Sequence, residues 1–265
     1  MMRKQEFYDH ELDFAVRIVR EAARRFLGQE AKAQMTVSDK GKQDLVTDLD
    51  FAVENYLCDA IGKEFPEDEI LAEEQAPETA FGKRTWIIDP IDGTVNFSSG
   101  TAMFGIQAAL LDGSEPVLSV ILLPEMGEIY TAVKGRGAFC GGKPIRCNKD
   151  VSTDRAVVTF GDFSRSLPSS AEMQLRQMKR LMNRIMRFRM YGASCIDFTA
   201  LASGKTHGHV MYSANLWDIV PGWFLAKEAG ACSNYEPGSG KLSENQPVIC
   251  AANDTLLGAL AEELE

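Results

Sequence analysis

No window of this chain approaches the ~18 uninterrupted apolar residues that a membrane-spanning helix requires, and Met1–Tyr8 lacks the apolar core of an export signal. The expectation is a cytoplasmic protein with no membrane partner. A basic excess is also missing, since 28 Lys and Arg against 38 Asp and Glu leave a formal net charge of −10. Nucleic-acid binding draws on clustered cations that displace counterions, so no such partner is expected. The densest basic run, Lys179–Arg189, alternates with Leu, Ile and Met and reads as the solvated face of an amphipathic helix running into a strand. Six cysteines (Cys58, Cys140, Cys147, Cys195, Cys232 and Cys250) form no Cys-x-x-Cys pair, which fits free, mostly buried thiols in a reducing compartment. Histidine is scarce; His207 and His209 bracket Gly208 without a third zinc ligand in view. There is no Gly-x-Ser-x-Gly elbow, and Ser203-Gly-Lys-Thr206 has Thr199 where a P-loop needs its first glycine. No Pro- or Ser-rich linker, internal repeat or low-complexity segment divides the chain.

What is present is enough apolar material, 45% of 265 residues, for one large globular unit or two closely packed lobes. Apolar residues at helical intervals from about Phe7 to Gln34 predict one long amphipathic helix. A second helix is expected after Thr47, where Thr47 and Asp50 have capping-box spacing and Phe51, Val53, Tyr56, Leu57 and Ile61 supply the apolar face. Short apolar runs at Ile70–Ala72 and Trp86–Ile88 read as strands that end in acids. Phe104–Leu111 and Val117–Leu123 flank an Asp112-Gly-Ser turn and read as a hairpin. A strand at Glu128–Val133 leads into a glycine-rich antiparallel corner. After Cys147 strands and helices alternate: Ala156–Phe160, Ser170–Met186, Phe188–Tyr191, Ser194–Ala202, His207–Tyr212, Asp218–Glu228. An α/β (α+β) chain of two lobes, 1–147 and 148–265, packed as one unit, is the expectation. Trp217, Trp223, Met182, Met186 and Met190 read as packing residues.

The densest chemical signal is Trp86-Ile-Ile-Asp-Pro-Ile-Asp-Gly-Thr-Val-Asn-Phe97, in which an apolar strand delivers Asp89 and Asp92 into a turn ending in Gly93-Thr94. Carboxylates suit hard cations and free backbone N–H groups at such a turn suit a phosphoryl oxygen. Alone, Asp-Pro and Asp-Gly are ordinary turn formers. The spacing Asp89-Pro-Ile-Asp92 is one residue too long for the aspartyl nucleophile motif of haloacid-dehalogenase phosphatases. Two carboxylates ~4 Å apart repel by about 4 kcal/mol at an effective dielectric of about 20, so clustering them without a cation is costly.

Four segments in order, Asp44-Leu-Val-Thr-Asp-Leu-Asp50, Leu71-Ala-Glu-Glu74, Asp89-Pro-Ile-Asp-Gly-Thr94 and Asn215-Leu-Trp-Asp218, make the chain resemble the inositol monophosphatase family of metal-dependent phosphomonoesterases over nearly its whole length. The resemblance implies a layered α-β-α-β-α sandwich of the inositol monophosphatase and fructose-1,6-bisphosphatase type, with the active site between lobes. It implies two or three Mg²⁺ ions: one on Glu73, Asp89 and the Ile91 carbonyl, a second on Asp89, Asp92 and Asp218, a weaker third near Glu73. It gives Asp50 and Thr94 the activation of an attacking water, with Glu73 beside them as a catalytic ligand, and the Gly93 and Thr94 N–H groups the phosphate. Lys40 or Lys42 matches a family lysine near the metals, and Glu74 is a further candidate. Lithium sensitivity and a homodimer come by resemblance only.

The same resemblance implies substrate contacts from Asp92, Ala193, Ser194, Met211 and Asp218. Met211 stands where inositol-preferring members carry a Glu, so either Tyr212 or Ser213 contributes or the alcohol differs. Inositol 1-phosphate leads as substrate, with histidinol phosphate, fructose 1,6-bisphosphate and 3′-phosphoadenosine phosphate as alternatives. A regulatory or binding protein that keeps the fold is the rival of another class.

Overall fold

The computed structural model describes residues 8–41, 44–75, 83–163, 168–212, 215–238 and 246–264. The N-terminal helical pattern splits into α1 (Asp9–Phe26) and α2 (Gln29–Gln34), because Gly28 takes an extended conformation as the N-cap of α2 and ends the run. A short hairpin of β1 (Val37–Gly41) and β2 (Asp44–Thr47) precedes α3 (Asp48–Glu64), which starts at the expected capping box: Thr47 Oγ1 accepts from the Asp50 N–H, and the Asp50 carboxylate accepts from the Thr47 N–H. Val53, Leu57 and Ile61 are buried as expected, whereas Phe51 lies on the solvent side of α3.

Then come β3 (Glu69–Ala72), β4 (Thr85–Asp92), the single-turn helix α4 (Thr94–Ser98), β5 (Gly105–Asp112), β6 (Glu115–Leu123), β7 (Glu128–Val133), β8 (Gly137–Cys140) and β9 (Lys143–Ile145). These seven strands form one sheet in sequence order, parallel only between β3 and β4. The β5–β6 hairpin turns where expected, with Gly113 at φ 66. The glycine-rich corner is a further hairpin, β8 and β9.

The rest comprises β10 (Val157–Phe160), α5 (Pro168–Leu181), β11 (Arg187–Arg189), α6 (Ser194–Ala202), β12 (Gly208–Met211), α7 (Leu216–Glu228), β13 (Cys232–Ser233), β14 (Val248–Ala251) and α8 (Asp254–Leu264). Its five strands lie in the order β11-β10-β12-β14-β13, mixed in direction. The alternation after Cys147 is as read, with shifted ends, while β13, β14 and α8 carried too little pattern to be read.

Three of the four apolar clusters among the described residues show the layering. One fills the space between α1, α3 and one face of the large sheet, with Ile18, Leu57 and Ile88 fully buried. A second joins the other face to α6 and α7. The third packs the small sheet against α8 and the end of α5. The result is the α+β sandwich of helices and two sheets in alternating layers. Burying one such Leu or Ile stabilises by roughly 1.5–3 kcal/mol, so the clusters hold the layers together.

Met182, Met186 and Met190 are not core fillers; they are 65%, 39% and 40% exposed. Helix α5 ends at Leu181, so the helical spacing that suggested burial stops, and Leu181 and Ile185 fill the core instead. Trp223 is buried and Trp217 packs beside Val220 and Leu71. All six cysteines are free, three buried and three half-buried. No helix among the described residues is long and apolar enough to cross a membrane.

Candidate active site

Strand β4 is buried along its whole length, so its apolar residues hold Asp89 and Asp92 inside the layer between the sheets. The Gly93 backbone is left-handed at φ 90, and a Cβ there would come 2.8 Å from the Ala193 Cβ. Glycine is therefore needed both for the turn and for seating β4 against the start of α6.

Across that seat, Asp92 caps α6. Its Oδ1 accepts from the Ser194 N–H at 3.1 Å; its Oδ2 accepts from Ser194 Oγ and Gln107 Nε2, both at 3.0 Å, and from the Cys195 N–H. A carboxylate at a helix N-terminus is stabilised by those donors and by the helix dipole. Burial nevertheless holds its pKa above the usual range, with the Cys195 and Ser194 hydrogen bonds pulling the other way.

Asp89 is 1% exposed, and its Oδ1 is buried with no hydrogen-bond partner among the described residues. Burial, then the charges of Glu73, Asp92, Asp218 and Asp50, push its pKa well above the carboxylate range. Glu73 lies one residue beyond β3, and Asp218 lies in the first turn of α7, accepting from Asn215 Nδ2 at 3.3 Å. Asn215 is the N-cap of α7 and the helix opens at Leu216, which puts Asp218 inside the first turn rather than at the cap.

Asp50, fully buried in the first turn of α3, accepts from the Thr47 N–H at 2.8 Å and from Thr47 Oγ1. Burial raises its pKa, the Thr47 contacts oppose the rise and the Glu74 charge adds to it. Thr94 Oγ1 stands 3.2 Å from Asp50 Oδ1 and 3.0 Å from the Ile91 carbonyl. Glu74 donates its N–H to Glu54 Oε2 at 2.7 Å.

The structure thus brings Asp50, Glu73, Asp89, Ile91, Asp92, Gly93, Thr94, Ala193, Ser194 and Asp218 into one neighbourhood. Met211, 6% exposed at the end of β12, belongs to the apolar cluster around Cys195 and Phe198. Lys40 lies in β1, and Lys42 lies outside the described residues. His207 Nδ1 accepts from the Val157 N–H at 3.1 Å. His209 is buried 2.8 Å from Thr159 Oγ1, with its pKa drawn down to about 3 by burial.

Sequence reading missed Gln107, Cys195 and Glu54. Gln107 left a signal, one amide in the apolar run Gly105–Leu111. Glu54 sits one turn beyond Asp50 on the same helix face. Cys195 acts through its backbone N–H and left none.

Oxygen donors alone, with an unpartnered buried Asp89 atom under repulsion, fit a hard divalent cation such as Mg²⁺ better than a soft one. Among the described residues no three His, Cys, Asp or Glu groups already converge on one ion position, so holding an ion takes side-chain adjustment.

The family model of inositol monophosphatases matches residues 8–265. A Thermotoga maritima protein named fructose-1,6-bisphosphatase/inositol-1-monophosphatase is 31% identical over 83% of this chain and 82% of its own length. Nus factor SuhB of Pasteurella multocida is 30% identical over 91% of each chain. Among solved structures, the extragenic suppressor protein suhB from Bartonella henselae superposes with a TM-score of 0.86 at 25% identity, covering 97% of this chain and 98% of its own. With these matches spanning the sandwich and the acidic crevice alike, the chain belongs to the inositol monophosphatase family.

Proposed function

We propose that the protein is a Mg²⁺-dependent phosphomonoesterase that hydrolyses a small polyol phosphate, with inositol 1-phosphate as the first candidate. The observation that carries this reading is Asp89, a buried carboxylate with an oxygen unpartnered among the described residues and beneath the charges of four other acids. A structural role gives no reason to retain that repulsion, whereas a cation relieves it.

Glu73, Asp89 and the Ile91 carbonyl would hold one ion, Asp89, Asp92 and Asp218 a second, and the surroundings of Glu73 a third. Bound ions supply Lewis acidity and charge neutralisation at the phosphoryl oxygens. The chain's own groups do the rest. Thr94 has one hydroxyl hydrogen for two acceptors, Asp50 and the Ile91 carbonyl. Directed to Asp50, that hydrogen leaves a lone pair on Oγ1 that would accept the proton of the attacking water. Asp50, held by Thr47, is the final acceptor. The Gly93 and Thr94 N–H groups orient the phosphate. Ser194 is committed to Asp92, so with Ala193 it shapes the wall of the site. Met211 and its apolar surroundings offer a substrate hydroxyl no acceptor, which keeps histidinol phosphate, fructose 1,6-bisphosphate and 3′-phosphoadenosine phosphate as alternatives. Lys40 and Glu74 remain candidates at the margin, and we infer a homodimer by likeness to the family.

Phosphate release from a panel of these compounds, with Mg²⁺ and with excess EDTA, tests the reading. Mg²⁺-dependent turnover of one compound is the expected result, and absence of turnover of all from folded protein sinks it. The relative named Nus factor SuhB favours a second reading, a regulatory or binding protein on the same fold. Folded protein that turns over none of the panel would point there.

A further inference from the structure

At the far end of α7 from Asp218 lies a cavity of about 570 Å³, lined in part by Arg136, Phe139, Ile145, Arg146, Lys149 and Glu228. Helix α7 has 13 residues, which at 1.5 Å per residue separates the two ends by roughly 20 Å. The cavity is therefore remote from the acidic crevice.

Its charges are unusual for a chain of net charge −10. The one acid in its wall, Glu228, is already engaged: its two oxygens accept from the Gly135 N–H at 3.0 Å and the Gly137 N–H at 2.9 Å. Arg136 pairs with Asp9. Among the described residues the Arg146 guanidinium and the Lys149 ammonium meet no carboxylate. Lys149 instead lies against the backbone of Gly230, where a Cβ would come 3.2 Å from its Cε. The end of α7 does not supply the missing negative charge, because the carbonyls of Leu225, Ala226 and Lys227 accept from the N–H groups of Ala229, Ala231 and Gly230. Phe139, Pro144 and Ile145 add an apolar wall beside the two cations.

A concave site of this size, with an apolar wall and two exposed cations in its lining that meet no carboxylate among the described residues, suits a small organic anion. The fork of Arg146 matches the geometry of a phosphate or carboxylate, and Lys149 adds a second positive charge. We propose that this cavity binds a small organic phosphate or phosphonate, its anionic group on Arg146 and Lys149 and its apolar body against Phe139, Pro144 and Ile145. The site is independent of the catalytic metals.

The test is a titration with a fluorinated benzylphosphonate, which a phosphatase cannot hydrolyse, followed by fluorine NMR on the full chain in excess EDTA. Saturable binding is expected, weakened about tenfold or more in Arg146→Ala/Lys149→Ala. It should be unchanged in Asp89→Asn, which alters only the acidic crevice. No saturable binding to the unaltered protein would overturn the proposal. So would equal affinity in the double alanine variant, or loss in Asp89→Asn.

Discussion

Two carboxylates packed along β4, Asp68 near its start and Asp89 further on, are treated in opposite ways. Near its start, Asp68 receives Arg84 Nε at 2.9 Å and Nη2 at 3.1 Å, and the Trp86 indole N–H at 3.0 Å; Glu11 shares the same guanidinium. Three residues after Trp86, Asp89 has an oxygen with no hydrogen bond among the described residues and four carboxylates pressing on it. Around one strand this fold pairs Asp68 with Arg84 and satisfies Asp92 with hydrogen bonds, yet leaves an Asp89 oxygen open among the described residues. The difference separates a carboxylate that holds the structure from one kept for a ligand.

Asp89→Asn should break the comparison most strongly. Turnover is expected to fall by a factor of about a thousand or more, since the electrostatic help to the transition state goes with it. In EDTA the same variant should be as stable as the unaltered protein or more so, by about 1–3 kcal/mol, because a buried unpaired charge has been removed. Phosphate release and urea unfolding read the two effects, and near-normal turnover would remove Asp89 from the site.

Adding Mg²⁺ should next raise the thermal midpoint of the unaltered protein, with about 2.7 kcal/mol of stabilisation at a hundredfold excess over Kd. The shift should vanish in Asp89→Asn; an equal shift in both would place the ions elsewhere.

At the other end, Arg84→Ala leaves Asp68 and Glu11 without their shared partner. A loss of about 1–3 kcal/mol is expected, with kcat and KM unchanged. A changed kcat would mean that the two ends are coupled.

The smallest effect is in pH. The folded-state pKa of Asp89 is raised above its ordinary 3.8, so in EDTA the protonated form stabilises the fold at low pH. That contribution is lost as pH rises from 3.8 through the raised value. Denaturant midpoints in EDTA should therefore carry a downward component with rising pH that Asp89→Asn lacks, and identical profiles would contradict the assignment.

Asp92→Asn should also cut turnover. The structure places that carboxylate under four hydrogen bonds from Gln107, Ser194 and Cys195, so the substitution should also loosen the seat of α6. Asp89 is the cleaner test of the chemistry.

What the sequence determined by itself was local. The capping box at Thr47 and Asp50, the turn at Gly113, the acids at the end of an apolar strand and the glycine after them depend on neighbours within a few residues, where propensity and periodicity act. The same locality misled at Met182 and Met186, because spacing does not say where a helix stops. Only the tertiary structure decided which distant groups meet: Thr94 with Asp50 across 44 residues, Asp92 with the start of α6 across 102, and Glu228 with the turn at Gly135 across 93. Those contacts follow from sheet order and from the packing of three apolar clusters, in which many weak burials acting together, rather than any one motif, select the arrangement.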